Sequence, residues 1–599
     1  MNKPPTVAAG ALVGALLTTA LTALLYLAHH LAGLPFAPFQ VFDWTARALP
    51  GAVITFGIDT MVALIRGLSI GATADVAKAA EQTMAVVGLL LTGTLAGAIA
   101  FGLLRRQARV PARPGAGARL SLTPGMIAGL IAGAVIGAAV AVVVATSARP
   151  GAAGPVLGAL WTFVAFLCWG ATLGWSWNRL AGLPAPALAS AASVGAPAPA
   201  PAAEEPALSS AAGAGDAGLG GGATSDAGLG GGARSGPKAV IVEPVDRRTF
   251  MIRLGGATAV ITVAGAALGG LLARGRRGAP PAGERWSGSN ALPNAGAAVG
   301  PARGTRPEFT PLDEHYRIDI NTVSPSVDEA EWRLRIGGLV ERPTGLTLDQ
   351  IRQRYEPMHQ FITLACISNP IAGDLISTTR WTGATLRSVM EDVGLRPDAT
   401  HVRIRSADDF DEVLDLSLAM RDPRVMLAYA WDGVPLTREH GFPLRIYIPD
   451  HYGMKQPKWI ESVEAIAEWQ PGYWVRRGWD REARMRATSV IDTVAADMMV
   501  IGADAQPMHV PIGGIAHAGT RGISRVEVSI DDGEWRPALL REPLSPTTWV
   551  LWRYDWPFEP GRHTFGVRCF EADGTPQIAR ESPVRPSGAT GLHRVDRMI

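Results

Sequence analysis

Four apolar stretches, residues 7–27, 83–104, 126–146 and 156–177, constrain this chain more than any other feature. A helix needs roughly 20 mostly apolar residues to cross a hydrocarbon core, and each stretch reaches that length. Where such a segment meets lipid, its backbone polar groups must be satisfied internally. Residues 1–180 are therefore expected to form an α-helical membrane anchor of four spans. A further stretch, residues 52–68, is apolar but interrupted by Asp59 and Arg66. It reads as an interfacial or re-entrant segment, with Phe36, Phe39, Phe42 and Trp44 placed just before it at headgroup level.

The distribution of arginine tests that count. Arg105, Arg106, Arg109, Arg113 and Arg119 crowd the loop after the second span, and the positive-inside rule places such a loop in the cytoplasm. With Lys3 inside as well, an even number of crossings must precede it, so residues 52–68 are not counted as a span. Residues 181–245 are rich in Ala, Pro, Gly and Ser and twice carry the string Asp-Ala-Gly-Leu-Gly-Gly-Gly-Ala, at 216–223 and 226–233. Such a composition buries no core and reads as a flexible linker. Residues 246–275 then open with Asp246-Arg247-Arg248-Thr249-Phe250-Met251 before another apolar run. They resemble a twin-arginine export signal in mid-chain, and they also read as a fifth membrane helix. Either reading carries the remainder of the chain outside the cytoplasmic membrane, and residues 276–305 form a second linker.

The net charge of +2 over 599 residues offers no basis for nucleic-acid binding. Cys168, Cys366 and Cys569 lie too far apart for a disulfide framework. The sequence has no Cys-x-x-Cys pair, which argues against structural zinc and against an iron–sulfur cluster. From residue 306 the pattern becomes mixed. A strand is expected over 331–336 and helices over 347–355 and 385–393, so residues 306–487 read as an α+β domain. Residues 488–599 read as all-β. Alternating runs at 525–530 and 549–554 and the turn Asp531-Asp532-Gly533 fit a small immunoglobulin-like sandwich.

Chemistry concentrates in the α+β part. Cys366 ends a β-type run and opens the turn Cys366-Ile367-Ser368-Asn369. Taken alone, a buried cysteine is a small inert hydrophobe. A cationic cluster lies downstream, His440-Gly441-Phe442-Pro443-Leu444-Arg445 and then Gly453-Met454-Lys455-Gln456-Pro457-Lys458-Trp459. Arginine supplies planar bidentate contacts and lysine a point charge, so the cluster suits a phosphate cradle. The thiol suits a soft metal.

These strings resemble the sulfite oxidase family of molybdopterin enzymes, over about residues 308 to 585. The resemblance implies a molybdopterin cofactor whose molybdenum is held by Cys366, with Asn369 completing the Cys-x-x-Asn turn and Trp381-Thr382-Gly383 matching the family's Trp-x-Gly. His440, Arg445, Gly453, Lys455, Gln456 and Lys458 fall on positions that hold the pterin and its phosphate. Tyr316 and Arg317 fall on an aromatic-x-Arg segment, and Asp408 on an acidic pterin contact. Cys366 and Arg317 take the catalytic positions. Residues 522–529 and 532–535 resemble the family's dimerisation domain, which implies a homodimer.

Two departures bear on substrate. Pro370 and Ile371 stand where sulfite oxidases carry arginines, and Trp479 stands in place of an active-site tyrosine, with Tyr473 out of register. The expected activity is sulfite-oxidase-like oxygen-atom transfer to or from a small substrate, an oxyanion or an S- or N-oxide. The alternative is reduction of an S- or N-oxide, as in the periplasmic methionine sulfoxide reductases. A third reading is a non-catalytic membrane anchor or assembly protein. No heme is expected, because the adjacent His29 and His30 cannot face each other across a bundle as axial ligands. Electrons then pass to or from a separate carrier, a cytochrome or a quinone-linked partner.

Overall fold

The N-terminal third is helical in the computed structural model, which describes residues 4–51, 53, 56, 57, 60, 61, 64, 73–108, 123–147, 154–182, 246–276, 284–498 and 509–599. Its helices are α1 (Val7–Ala32), α2 (Ala37–Ala48), α3 (Thr73–Gln107), α4 (Pro124–Ser147), α5 (Pro155–Ala181) and α6 (Arg247–Arg276). All but α2 are long and apolar enough to cross a membrane. Each of the four stretches read from sequence lies inside one of them. Most of residues 52–68, including Asp59 and Arg66, falls outside the described residues, as do Arg109, Arg113, Arg119 and residues 183–245.

The helices pair through glycine. Gly10 and Gly14 of α1 meet Gly93 and Gly97 of α3, while Gly125, Gly129 and Gly133 of α4 meet Gly170 and Gly174 of α5. A Cβ placed on Gly129 would strike the carbonyl oxygen of Gly170. Small residues let helix backbones approach and gain dispersion where lipid offers no hydrophobic driving force. Trp169 of α5 donates its indole N–H to Thr18 Oγ1 of α1 at 3.0 Å, a buried bond that ties the two pairs together.

The α3 helix begins ten residues before the expected span at 83, because its first turns belong to a junction rather than to an apolar run. The Thr73 amide donates to Asp374 at 2.8 Å, and Lys78 bonds the Asn321 carbonyl at 2.7 Å. The aromatic residues expected at headgroup level also divide. Phe36 is buried and packs edge-on to Phe39 at 4.7 Å, while Phe42 lines the same cavity as Cys366.

The central region holds β1 (Leu334–Gly338), β2 (Thr344–Leu346), β3 (Met358–Ala365), β4 (Ile376–Thr385), β5 (His401–Ser406), β6 (Asp411–Asp415), β7 (Met426–Trp431), β8 (Val434–Pro435), β9 (Arg445–Tyr447) and β10 (Ile460–Ile466). One sheet runs β2-β1-β10-β5-β6, with β1 and β10 parallel. The other runs β3-β4-β7-β8, with β9 beside β7. The strand expected from 331 starts at Leu334, since Trp332 N–H turns back to the Asp328 carbonyl at 2.9 Å. The expected helices appear as Leu348–Arg354 and Leu386–Val393, capped by Thr347 and Thr385; Thr347 and Gln350 form a capping box.

The C-terminal region adds β11 (Thr488–Val494), β12 (His509–His517), β13 (Ile523–Ile530), β14 (Arg536–Pro537), β15 (Leu539–Leu540), β16 (Val550–Pro557), β17 (Arg562–Glu571) and β18 (His593–Met598). They form two four-stranded sheets, β11-β12-β16-β15 and β14-β13-β17-β18. Ile512 and Trp552 from one share a core with Val528, Phe565 and Cys569 from the other. This region is fused to β3. Thr363 N–H bonds the Thr547 carbonyl at 3.0 Å, Trp549 N–H bonds Thr363 Oγ1 at 2.8 Å, and Ala365, Ile367 and Ile376 pack with Val490, Ile515 and Leu551.

Candidate active site

Cys366 comes directly after the last residue of β3 and is buried. Its turn closes through Asn369 N–H to the Cys366 carbonyl at 3.0 Å, and the Cys366 amide is taken by the Leu375 carbonyl at 2.9 Å. The backbone is thus pinned on both sides of a thiol whose side-chain partner is Ser368 Oγ at 3.0 Å. Burial pushes the thiol above its ordinary pKa, against the hydrogen bonds from Ser368 and Ile367.

The thiol opens into a cavity of about 440 Å³. Arg445, at the start of β9, lies 4.6 Å above the ring of Trp381 on β4 and donates to the His440 carbonyl at 3.2 Å. Among the described residues no carboxylate pairs with it. Burial pulls its guanidinium down to about 10. Lys458 packs over Trp459 at 4.4 Å, donates to the Glu439 carbonyl at 2.9 Å and stands 3.6 Å from Asp319. Burial brings it down to about 8, with Asp319 acting in the other direction. Asp319 is held well below the carboxylate range. Burial opposes its ionisation, but Lys458, Lys78 and Arg317 together outweigh that effect.

Two buried histidines complete the inner wall. His440 packs against Trp431 at 4.4 Å and against His315 at 5.3 Å. Burial, then the nearby Arg445, takes His315 down to about 3. Burial, then His315 and Lys458, takes His440 far below its usual value. Both imidazoles are therefore neutral near pH 7. His315 Nε2 and Gln456 Oε1 are buried without a hydrogen-bond partner among the described residues, and both side chains belong to residues that line the cavity.

Most of the residues read from sequence converge here. Cys366, Tyr316, Arg317, Asp408, His440, Arg445, Gly453, Gln456 and Lys458 all line the one cavity. Arg317 bonds Asp319 at 3.2 Å and Ser324 at 3.2 Å, and Asp408 accepts from Asn321 at 2.8 Å. Two expected contacts are placed elsewhere. Asn369 turns its carboxamide oxygen to the Leu375 amide at 3.0 Å and lines a separate small cleft. Lys455 is buried in an ion pair with Glu412 at 2.6 Å, behind the cavity wall. Both shape the fold of the site without facing the cavity.

Sequence reading missed His315 and Asp319 as members of the site. Their signal was present, since both flank Arg317 in one five-residue string. It also missed Asp43, Lys78 and Phe42, which reach the cavity from the helical region. Trp479 and Tyr473 both line the cavity, so the substitution at the tyrosine position faces the same space as the out-of-register tyrosine.

The donor set fits a molybdopterin. It has a buried thiol to ligate the metal, two buried cations for a phosphate, and an unpartnered amide oxygen and imidazole nitrogen for polar ring edges.

Comparison with known proteins agrees with this chemistry. The family described as "Oxidoreductase molybdopterin binding domain" matches residues 321–474. Chicken sulfite oxidase (Gallus gallus) is 28% identical over 301 residues, 43% of this chain and 65% of that protein. Barley nitrate reductase (Hordeum vulgare) is 27% identical over 300 residues, 41% of this chain and 34% of that protein. The uncharacterized oxidoreductase YuiH of Bacillus subtilis is 30% identical over 154 residues, 25% of this chain and 74% of that protein. The chain thus spans about two thirds of the chicken protein and one third of the barley protein.

Proposed function

Because the chain belongs to the sulfite oxidase family of molybdopterin-dependent oxidoreductases, we propose that it is a membrane-anchored enzyme working outside the cytoplasmic membrane. Its reaction moves an oxygen atom to or from a small substrate. The observation that carries this reading is the meeting of a buried thiol and a buried guanidinium without a carboxylate partner, Cys366 and Arg445, in one cavity. When bound, the molybdenum cofactor supplies the two-electron redox couple and the oxygen-transfer chemistry. Cys366 holds the metal as thiolate. Arg445 and Lys458 neutralise the pterin phosphate, and His440, His315 and Gln456 orient the pterin through their polar side-chain atoms. Arg317, partly exposed and steadied by Asp319, is placed to meet an anionic or S-oxide oxygen of the substrate.

Three further features support the wider setting. The central region bonds the start of α3, whereas Arg105 and Arg106 lie in that helix's last turn. By the positive-inside rule the site then lies opposite the cytoplasm. Arg247 and Arg248 open α6, which suits both a twin-arginine-like signal and a fifth span. The two C-terminal sheets suit an immunoglobulin-like dimerisation domain.

A reductive direction, acting on S- or N-oxides, is favoured by one observation. Pro370 and Ile371 stand where sulfite oxidases carry arginines, and Arg317 and Arg445 are the arginines that line the cavity among the described residues, so a small dianion finds fewer matched charges. Molybdenum and pterin content of the purified protein, wild type beside Cys366→Ser, tests the assignment. Near one molybdenum per chain is expected in the wild type and a depleted metal content in the variant. Metal-free wild type from a host that makes the cofactor would return the chain to a non-catalytic anchor or assembly role.

A further inference from the structure

The cavity that contains Cys366 continues beyond the central region into the helical one. We propose that its outer part binds a lipid-soluble ligand of the quinone class, and that this ligand is the two-electron partner of the site. This assignment rests on the oxidoreductase reading of the site and names the partner which that reading leaves open.

Three observations carry it. First, apolar side chains from both regions line the one cavity: Phe42 of α2, Leu49 just after it, and Ala77 and Met84 of α3, together with Trp474 and Trp479. Second, Met84 heads a stripe of exposed apolar residues on one face of α3, continuing through Val87, Leu91, Leu95 and Ile99. Spacings of three and four residues keep such positions on one face. On a helix long and apolar enough to span a membrane, that face meets lipid, so the chamber wall runs directly into a lipid-facing surface.

Third, the junction is bonded rather than loosely apposed. Arg47 of α2 donates to Asn321 Oδ1 at 2.8 Å and to the Asp408 carbonyl at 3.2 Å. The Thr322 amide donates to Asp43 at 2.9 Å, and Lys78 reaches Asp319 at 3.4 Å. These contacts hold an apolar chamber against the polar end that contains Arg317 and Cys366. A ligand with an apolar body and a carbonyl or hydroxyl head matches that gradient. The lipid-soluble molecules of this form that exchange two electrons and two protons are quinones.

The exchange balances in either direction. In reduction, the quinol loses two electrons and two protons and leaves as quinone, while the S–O or N–O bond of the substrate breaks and its oxygen departs as water. In oxidation, water supplies the oxygen, and the quinone takes up two electrons and two protons to become quinol.

Photolabelling of the full chain in phosphatidylcholine nanodiscs with an azidoquinone tests the proposal, with molybdenum measured in the same preparation. Label is expected within residues 42–49 and 74–84, displaced by unlabelled decyl-quinol. Ala77→Trp and Leu49→Trp should each weaken displacement about tenfold. Val135→Trp, on a side chain of α4 that is 65% exposed, should not. Label spread evenly over all apolar helices, or displaced by a long-chain sulfoxide but not by quinol, would overturn the proposal. Full molybdenum without displaceable label overturns the quinone site and leaves the enzyme assignment standing. Displaceable label on protein that is metal-free although its host makes the cofactor supports the site and overturns that assignment.

Discussion

Arg445 is a charge for which the described residues supply no carboxylate. Desolvating an ion costs several kcal/mol even after relaxation, and here a carbonyl and an aromatic face offset only part of that cost. A phosphate would complete the pair. Arg445→Met should therefore act in opposite directions on the two forms of the protein. Its pterin and molybdenum content should fall severalfold, while the cofactor-free form should melt at a higher temperature than cofactor-free wild type. Elemental analysis and calorimetry read the two effects, and retention of full molybdenum would refute the phosphate role. Lys458 gives a pH signature. Its pKa falls from the ordinary 10.5 to about 8 on folding, chiefly by burial. Between those values the unfolded chain binds more protons than the folded one, so stability must rise with pH. The destabilisation is present in full below about pH 8 and disappears as pH climbs to 10.5, up to about 3 kcal/mol in total. The cofactor-free protein should show that rise in melting temperature, and added inorganic phosphate should flatten it by restoring the charged form. The motifs made both residues legible in sequence. Local strings could not show that Lys455 turns away to Glu412, because that partner lies 43 positions distant.

At the scale of elements, apolar length and glycine spacing account for the long apolar helices of the N-terminal region. The i, i+4 repeat Gly125, Gly129, Gly133 seats α4 against α5 with backbone touching backbone. Gly129→Ile would force the helices apart, and neither the carbonyl of Gly170 nor the backbone of Gly174 can yield as a side chain would. Loss of the folded helical region is expected, seen as faster proteolysis of detergent-solubilised protein. Gly102→Ala, where an added Cβ meets only the Val7 side chain of α1 at 3.7 Å, should leave proteolysis unchanged. The α2 helix depends on different forces. Arg47 and Asp43 both tie it to the central region, so Arg47→Ala should raise hydrogen exchange across Ala37–Ala48, and Asp43→Ala with it should raise it further, without altering exchange in β3. The capping box Thr347–Gln350 was visible in the sequence as Thr-x-x-Gln. The early start of α3 was not, because Thr73 and Lys78 are ordered by Asp374, Asn321 and Asp319, some 240 to 300 positions away.

At the scale of the whole molecule, β3 is held between two neighbours. One side of the strand that presents Cys366 pairs with β4, and its residues also bond and pack against the C-terminal sheets. A chain ending before Thr488 would expose Ile367 and Ile376 and leave the Thr363 backbone amide without its partner, a cost of about 1–3 kcal/mol for that group alone. Such a truncation should lower molybdenum per soluble chain to near background, measured by elemental analysis after gel filtration. If it kept its metal, the C-terminal region would be an independent appendage.

By itself the sequence determined what short-range chemistry determines. Runs of apolar residues are long enough for helices in lipid, arginines cluster after the second run, and a thiol and a cationic string have spacings matching a known kind of site. The tertiary structure alone decided which of those groups share a cavity. It turned Asn369 and Lys455 away from it, brought in His315 and Asp319, and set α2 and the first turns of α3 against its mouth. The physical reason is range. Helix length and charge asymmetry are set by neighbours along the chain, whereas the partner of a buried charge is set by whichever distant segment the fold carries to it.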